Sequence, residues 1–190
     1  MQQRLVECVP NISEGRRSEV IDAVASVVNQ VEGVKLLDVD PGKSTNRTVI
    51  TFVGPPETVG EAAFQLIKKA AELIDMRNHR GEHPRMGATD VCPFVPVSGV
   101  SMEECVEIAR KLAERVGNEL GIPGYLYESA ALSVERQNLA TCRKGQYEGL
   151  AKLETPGGKP DFGPAVWNEQ TQRSGATAIG ARDFLIAYNI

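Results

Sequence analysis

Across the first hundred residues the apolar side chains switch between a period of about two and a period of about 3.6, the signatures of strand and helix. Residues 5–9 form a short apolar run stopped by Pro10, which reads as a strand. From Ser18, expected to cap a helix, apolar residues fall at Val20, Ile21, Val24, Val27, Val28 and Val31, and Gly33 ends the pattern. Residues 34–39 read as a second strand closed by Asp40-Pro41-Gly42, and the β-branched run 48–53 as a third. The short polar linker 43–47 suggests that these two form a hairpin. Pro56 opens a second helix, with Val59, Ala62, Ala63, Leu66, Ile67, Ala70, Leu73 and Ile74 on its apolar stripe, and a strand follows over about 90–97. The order strand, helix, strand, strand, helix, strand predicts an α+β fold: a ferredoxin-like split β-α-β sandwich whose antiparallel-rich sheet carries its helices on one face.

Further elements extend this unit. Ser101 and Glu104 have the spacing of a capping box, ahead of an extra helix striped by Cys105, Ile108, Ala109, Leu112 and Val116. Residues 125–127 read as a brief strand, residues 133–153 as helix interrupted at Gly145, and the Gly- and Pro-rich stretch 156–164 as a break. Residues 184–190 read as a C-terminal strand that runs to the last residue.

The 190 residues suffice for one sizeable core. Hydrophobic residues make up 42% and charged residues 24%, an ordinary balance for a soluble protein. No apolar run approaches the roughly 20 residues of a membrane helix, so no membrane partner is expected. The first residues lack the apolar region of a secretion signal, which makes the cytoplasm the expected compartment. With a net charge of -4 and no basic block, nucleic acid is not expected as a partner. The four cysteines are scattered, without the spacing of a metal site or a disulfide framework, and are expected to be buried small hydrophobes.

Chemistry concentrates in Gly81-Glu82-His83-Pro84-Arg85-Met86-Gly87. Both histidines of the chain, His79 and His83, lie in or beside this segment. Their spacing of four would suit a metal on a helix, but Gly81 and Pro84 break any helix there and three convergent ligands are wanting, so no metal is expected. On a loop, His83 is a candidate general base, with Arg85 and Asp90 nearby, against the plainer reading of a surface histidine. Asp38 and Asp40 share one strand face; Asp40 is either a turn residue or an acid facing a site. Arg47 and Arg85 are candidates for binding a carboxylate through the guanidinium fork. The stretch 160–175 looks like a long loop, whose only tryptophan, Trp167, either covers a planar ligand or joins the core.

Taken together, Leu5-Val6-Glu7-Cys8-Val9-Pro10-Asn11, Ser13-Glu14-Gly15, Leu36-Leu37-Asp38-Val39-Asp40, Ser44-Thr45-Asn46-Arg47-Thr48, Phe52-Val53-Gly54, the Gly81–Gly87 loop, Asp90-Val91-Cys92-Pro93-Phe94, Pro160-Asp161-Phe162-Gly163-Pro164 and Phe184-Leu185-Ile186-Ala187 resemble, in collinear order, the N-terminal subdomain of the glutamate formiminotransferase family. The resemblance implies two ferredoxin-like subdomains with a folate site in the cleft between them. It also implies transfer of a formimino group from N-formimino-L-glutamate to tetrahydrofolate, the co-substrate, in histidine degradation. On this sequence the family's catalytic histidine falls on His83 and its acidic partner on Asp40, with Arg47 and Arg85 beside the site. Its folate-contacting loop begins at Gly163, Pro164, Ala165, Val166 and Trp167 and runs to Gly175, although this loop departs from the family's length and sequence. Only the first subdomain falls within these residues, so a homodimer or association with a C-terminal subdomain is expected. A formyl donor in place of the formimino donor, and a non-catalytic folate-binding or interaction module, are the alternative functions.

Overall fold

The computed structural model describes residues 3–151 and 159–185. Its sheet has seven strands: β1 (Leu5–Cys8), β2 (Asn11–Ile12), β3 (Lys35–Gly42), β4 (Arg47–Gly54), β5 (Thr89–Ser98), β6 (Gly124–Glu128) and β7 (Thr177–Ala181). β1 and β2 share one lane between β4 and β5, interrupted at Val9 and Pro10, where the chain still bonds both neighbours (Val9 N to Pro93 O, 3.2 Å; Ile50 N to Pro10 O, 2.9 Å). β3 flanks β4 on the outside. On the other side β7 and then β6 continue the sheet with parallel pairings, so the sheet is mixed.

Three helices, α1 (Ser18–Ser26), α2 (Val59–Leu73) and α3 (Met102–Leu120), bury their stripes on one face. Val6 and Cys8, Ile50 and Phe52, and Cys92 and Phe94 point from alternate strand positions into that core. The capping box at Ser101 and Glu104 forms as the sequence predicts, fixing the start of α3. At α1 the structure differs. Ser18 is the first helical residue rather than the cap, and the buried Glu14 carboxylate accepts from Arg16 N and Arg17 N instead. Pro56 lies in a turn, and α2 begins at Val59.

The opposite face is divided. Over β5, β7 and β6 it is covered by the short helices α4 (Leu139–Cys142) and α5 (Gln146–Leu150), which pack Cys142 and Leu150 with Val91, Tyr125, Tyr127 and Ala178. Over β1 and β4 it is only half-buried, as the strict alternation along both records, and over β3 it is exposed. The four cysteines are buried free thiols, with Cys8 and Cys92 Sγ 3.6 Å apart.

Two strand boundaries depart from expectation. Asp40-Pro41-Gly42 does not close β3 but pairs on to Arg47, so the turn is residues 43–46. The last described strand is β7, not residues 184–190: Phe184 and Leu185 are exposed and outside any strand, and residues 186–190 lie outside the described residues. β7 reads Thr-Ala-Ile-Gly-Ala and is buried along its whole length between two parallel neighbours. Small residues are required there, because a side chain at Gly180 would run into Tyr127. Residues 152 and 153 of the expected helix, and 156–158 of the expected break, also lie outside the described residues.

Candidate active site

The loop that carries His83 is irregular, yet stitched on both sides. Met86 and Gly87 meet the segment before β7 through Ala88 N to Ser174 O (2.7 Å) and Ala176 N to Met86 O (3.1 Å). Gly175 makes this approach possible, since it has φ 65° and a Cβ there would collide with the Met86 carbonyl. Ser13 anchors the same stretch through its Oγ on Gly87 O at 2.7 Å. On the upstream side, the 43–46 turn places Asn46 in the left-handed region at φ 49°, where its side chain joins Gly15 N (2.9 Å) to Arg80 O (3.0 Å).

The two histidines have different tasks. His79 is buried; its Nε2 donates to Asn46 O at 2.9 Å, and its Nδ1 accepts from Arg85 Nε at 3.3 Å. Burial, with Arg85 adding to it, lowers its proton affinity, so it is a neutral structural crosslink between the turn and the loop.

His83 is half-buried. Its Nδ1 lies 2.6 Å from Pro84 O and its Nε2 2.9 Å from Arg47 Nη1. A carbonyl only accepts and a guanidinium only donates, so Nδ1 carries the proton and Nε2 the lone pair. Burial first, and then the Arg47 charge, push the imidazole below its usual value. At neutral pH it is an unprotonated base whose lone pair is occupied by Arg47.

Behind this pair lies a second one. Asp90, at the start of β5 and 1% exposed, accepts from Met86 N at 2.8 Å and from Arg143 Nη1 at 2.8 Å. Arg143 Nη1 also lies 3.5 Å from Pro84 O, the oxygen that His83 uses. The charge of Asp90 favours the protonated forms of both Arg47 and His83, and that of Arg143 disfavours them. The structure thus brings His83, Arg47, Asp90 and Arg143 together. Arg143 was missed in the sequence, where nothing beyond a basic residue before Gly145 marks it.

Asp40 stands on the same face of the β3–β4 hairpin as Arg47, opposite Val49, and is exposed. Among the described residues no hydrogen bond or ion pair engages its carboxylate, and the imidazole's own partners are Arg47 and Pro84 O. Arg85 is buried with its fork filled: Nη1 and Nη2 hold Glu148 at 2.9 and 2.7 Å, and Nη1 reaches Gln146 at 3.1 Å. It pins α5 to the loop.

The expected loop 160–175 is not irregular throughout: its end forms a short helix, α6 (Glu169–Ser174), capped by Asn168, and just ahead of it Trp167 packs on Tyr147 with ring centres 5.3 Å apart. Pro164, Val166, Trp167 and Gly175 line a hollow of only about 10 Å³, while Gly163 and Val166 are exposed and Ala165 half-buried. Asp161 is structural, accepting from Leu126 N at 2.7 Å and pairing with Arg136. Among the described residues no cluster of three metal-ligating side chains occurs, and no helix is long and apolar enough to cross a membrane.

Comparison with known proteins assigns the lineage of this arrangement. Residues 5–182 match the model of the formiminotransferase domain, N-terminal subdomain, and the chain belongs to that family. It is 57% identical over 188 residues to a formimidoyltransferase-cyclodeaminase of Gallus gallus, covering 98% of this chain and 34% of the relative. It is 50% identical to a glutamate formimidoyltransferase of Streptococcus pyogenes serotype M1 and 52% identical to one of Thermoplasma acidophilum, in each case over 98% of this chain and 62% and 61% of the relative. The chain therefore spans about a third of the bifunctional relatives' length and about three fifths of the glutamate formimidoyltransferases'.

Proposed function

We propose that this chain supplies the base-bearing half of a transferase that moves the formimino group of N-formimino-L-glutamate to N5 of tetrahydrofolate, giving 5-formiminotetrahydrofolate and L-glutamate. The observation that carries the reading is the state of His83: a neutral imidazole with Nδ1 tied to Pro84 O and Nε2 turned to Arg47. N5 must lose its proton as it attacks the amidine carbon, and Nε2 takes it. The imidazolium returns that proton to the leaving glutamate nitrogen as the tetrahedral intermediate collapses, so the protons balance over the cycle. Asp40 is assigned the role of acidic partner; its free carboxylate on the Arg47 face of the hairpin supports this.

The fold reading goes with it. The antiparallel order β3, β4, β1/β2, β5, with α1 and α2 on one face, supports a ferredoxin-like first half, with β6, β7 and α3 as its extension. The uncovered face of β1, β3 and β4 is proposed to meet a C-terminal subdomain, in cis or as a separate chain, with the folate between them. A pteridine needs a pocket of several hundred Å³. The hollow under Trp167 cannot take one, so the 163–175 loop is proposed to touch folate from its exposed edge at Gly163, Pro164, Ala165 and Val166.

The deciding experiment assays the chain with tetrahydrofolate and either N-formimino- or N-formyl-L-glutamate, with and without a C-terminal subdomain of the family. Formimino transfer that requires both halves is the expected result. Transfer from the formyl donor alone, or folate binding without transfer in the completed assembly, would replace the reading by one of the alternatives.

A further inference from the structure

Two guanidinium nitrogens beside His83 have nothing to bond among the described residues. Arg47 Nε and Arg143 Nε are both buried from solvent and, among the described residues, lack a hydrogen-bond partner. An unmet buried donor costs free energy, and two such donors in one cluster are unusual in a native protein. The charges are unmet as well. Among the described residues, the buried carboxylate that meets Arg47 and Arg143 is Asp90, and His83 between them is neutral, so two guanidinium charges share one buried carboxylate, Asp40 standing outside in solvent. Asp90 is itself occupied by Arg143 and Met86 N. The imidazole lies between the two arginines, with Arg47 at Nε2 and Arg143 reaching the Pro84 carbonyl that holds Nδ1. A site with spare cationic charge and spare planar donors is complementary to a carboxylate.

We infer that Arg143 and Arg47 together bind the α-carboxylate of the donor, and that this carboxylate draws Arg47 away from Nε2 and so frees the base. The inference rests on the proposed function, which supplies the donor. Of the carboxylates the two substrates bring, only this one lies three bonds from the reacting carbon and hence beside the base. The distal carboxylate of the donor is two methylenes further out, and the glutamate tail of folate lies beyond its aromatic ring. Arg85, the arginine of the Gly81–Gly87 loop itself, is unsuited because its fork already holds Glu148. The arrangement links binding to reactivity: until a carboxylate is present, the lone pair of His83 is held by a cation.

The test uses the chain assembled with its family's C-terminal subdomain and two donors, N-formimino-L-glutamate and N-formimino-4-aminobutyrate. The second keeps the amidine and the distal carboxylate but lacks the α-carboxylate. In Arg143→Gln the KM for the first donor should rise about 10–100-fold, the range for a lost charge-assisted contact, while the KM for the second stays as it was. An unchanged ratio between the two donors overturns the inference. Because Arg143→Gln strands the buried Asp90, the double variant Asp90→Asn/Arg143→Gln is measured beside it; the amide still accepts from Met86 N, and the same ratio decides. A second arm needs no turnover. Titration of the His83 ring by NMR, with free L-glutamate as probe and 4-aminobutyrate as control, should show glutamate alone raising the pH at which His83 protonates, and no such rise in either variant. No effect of glutamate on wild-type His83 overturns the inference. Wild-type assembly that responds to glutamate yet transfers nothing from any donor removes the proposed function and leaves the carboxylate site standing.

Discussion

Arg47 donates from Nη1 to Nε2 of His83 at 2.9 Å, so a permanent cation is bonded to the only lone pair of the imidazole. Such a contact keeps the ring neutral, because a proton on Nε2 would face the guanidinium directly. It also fixes which ring nitrogen holds the lone pair.

Loss of that nitrogen should be felt in turnover. In the assembled enzyme, His83→Ala is expected to lower kcat about 10²–10⁴-fold, the range for removing a general base, with much smaller changes in substrate affinity. Steady-state kinetics beside a binding titration measure both. Turnover close to wild type in a folded, assembled preparation excludes His83 as the base.

The pH dependence has a defined sign. Burial and Arg47 lower the proton affinity of free His83, so kcat/KM should hold to below about pH 6.5, the ordinary histidine value, before its acid limb appears. With a substrate carboxylate on Arg47, protonation becomes easier, and the acid limb of kcat should lie at higher pH than that of kcat/KM. Coincident limbs would mean that substrate leaves the electrostatics of the ring unchanged.

His79 should appear in stability instead. Its folded-state proton affinity is lowered, so the unfolded chain binds the proton more readily. Its contribution is present above the unfolded value of about 6.5 and is lost as the pH falls from there toward the lower folded value. His83 adds to the same slope, so His79→Gln should flatten the fall in denaturation midpoint below that pH without abolishing it. A slope identical to wild type would show that His79 protonates as easily folded as unfolded.

Arg85 separates scaffold from ligand contact. Arg85→Lys keeps a charge but loses the two-pronged hold on Glu148 and the bond to His79, and is expected to destabilise the chain by about 1–3 kcal/mol. Thermal unfolding measures this. A variant of wild-type stability with a raised donor KM would return Arg85 to the substrate, as its sequence position first suggested.

For Asp40 the expectation is reversed. Its carboxylate is exposed and without a side-chain partner among the described residues. Asp40→Asn should therefore leave the denaturation midpoint within about 0.5 kcal/mol of wild type, as for other surface changes, while lowering kcat. Unaltered kcat in that variant would reduce Asp40 to a strand residue.

What the sequence conveyed follows from the range of its signals. The stripes of α1, α2 and α3, the Ser101–Glu104 cap and the β3–β4 hairpin are local, and period or spacing alone defines them. β7 was illegible because burial on both faces selects Thr177, Ala178 and Gly180 for size, and small residues carry no strand signature. The His83 loop was visible as a break in pattern with unusual chemistry. Its partners were not equally visible: Arg47 stood out beside a strand, but Arg143 is 53 positions from Asp90 and joins it only because α4, which packs on β6, carries the chain back over the sheet. Arg85 was read as a carboxylate ligand since the sequence cannot show that Glu148 already fills its fork.

The shared use of Pro84 O by His83 and Arg143 has a further consequence for proton traffic. With Nδ1 tied to that carbonyl, the ring cannot pass a proton through from one face to the other, as a relay histidine would. Whatever arrives at Nε2 must depart from Nε2. For the proposed transfer, this means that the leaving nitrogen must take its proton from the same side of the ring that received it.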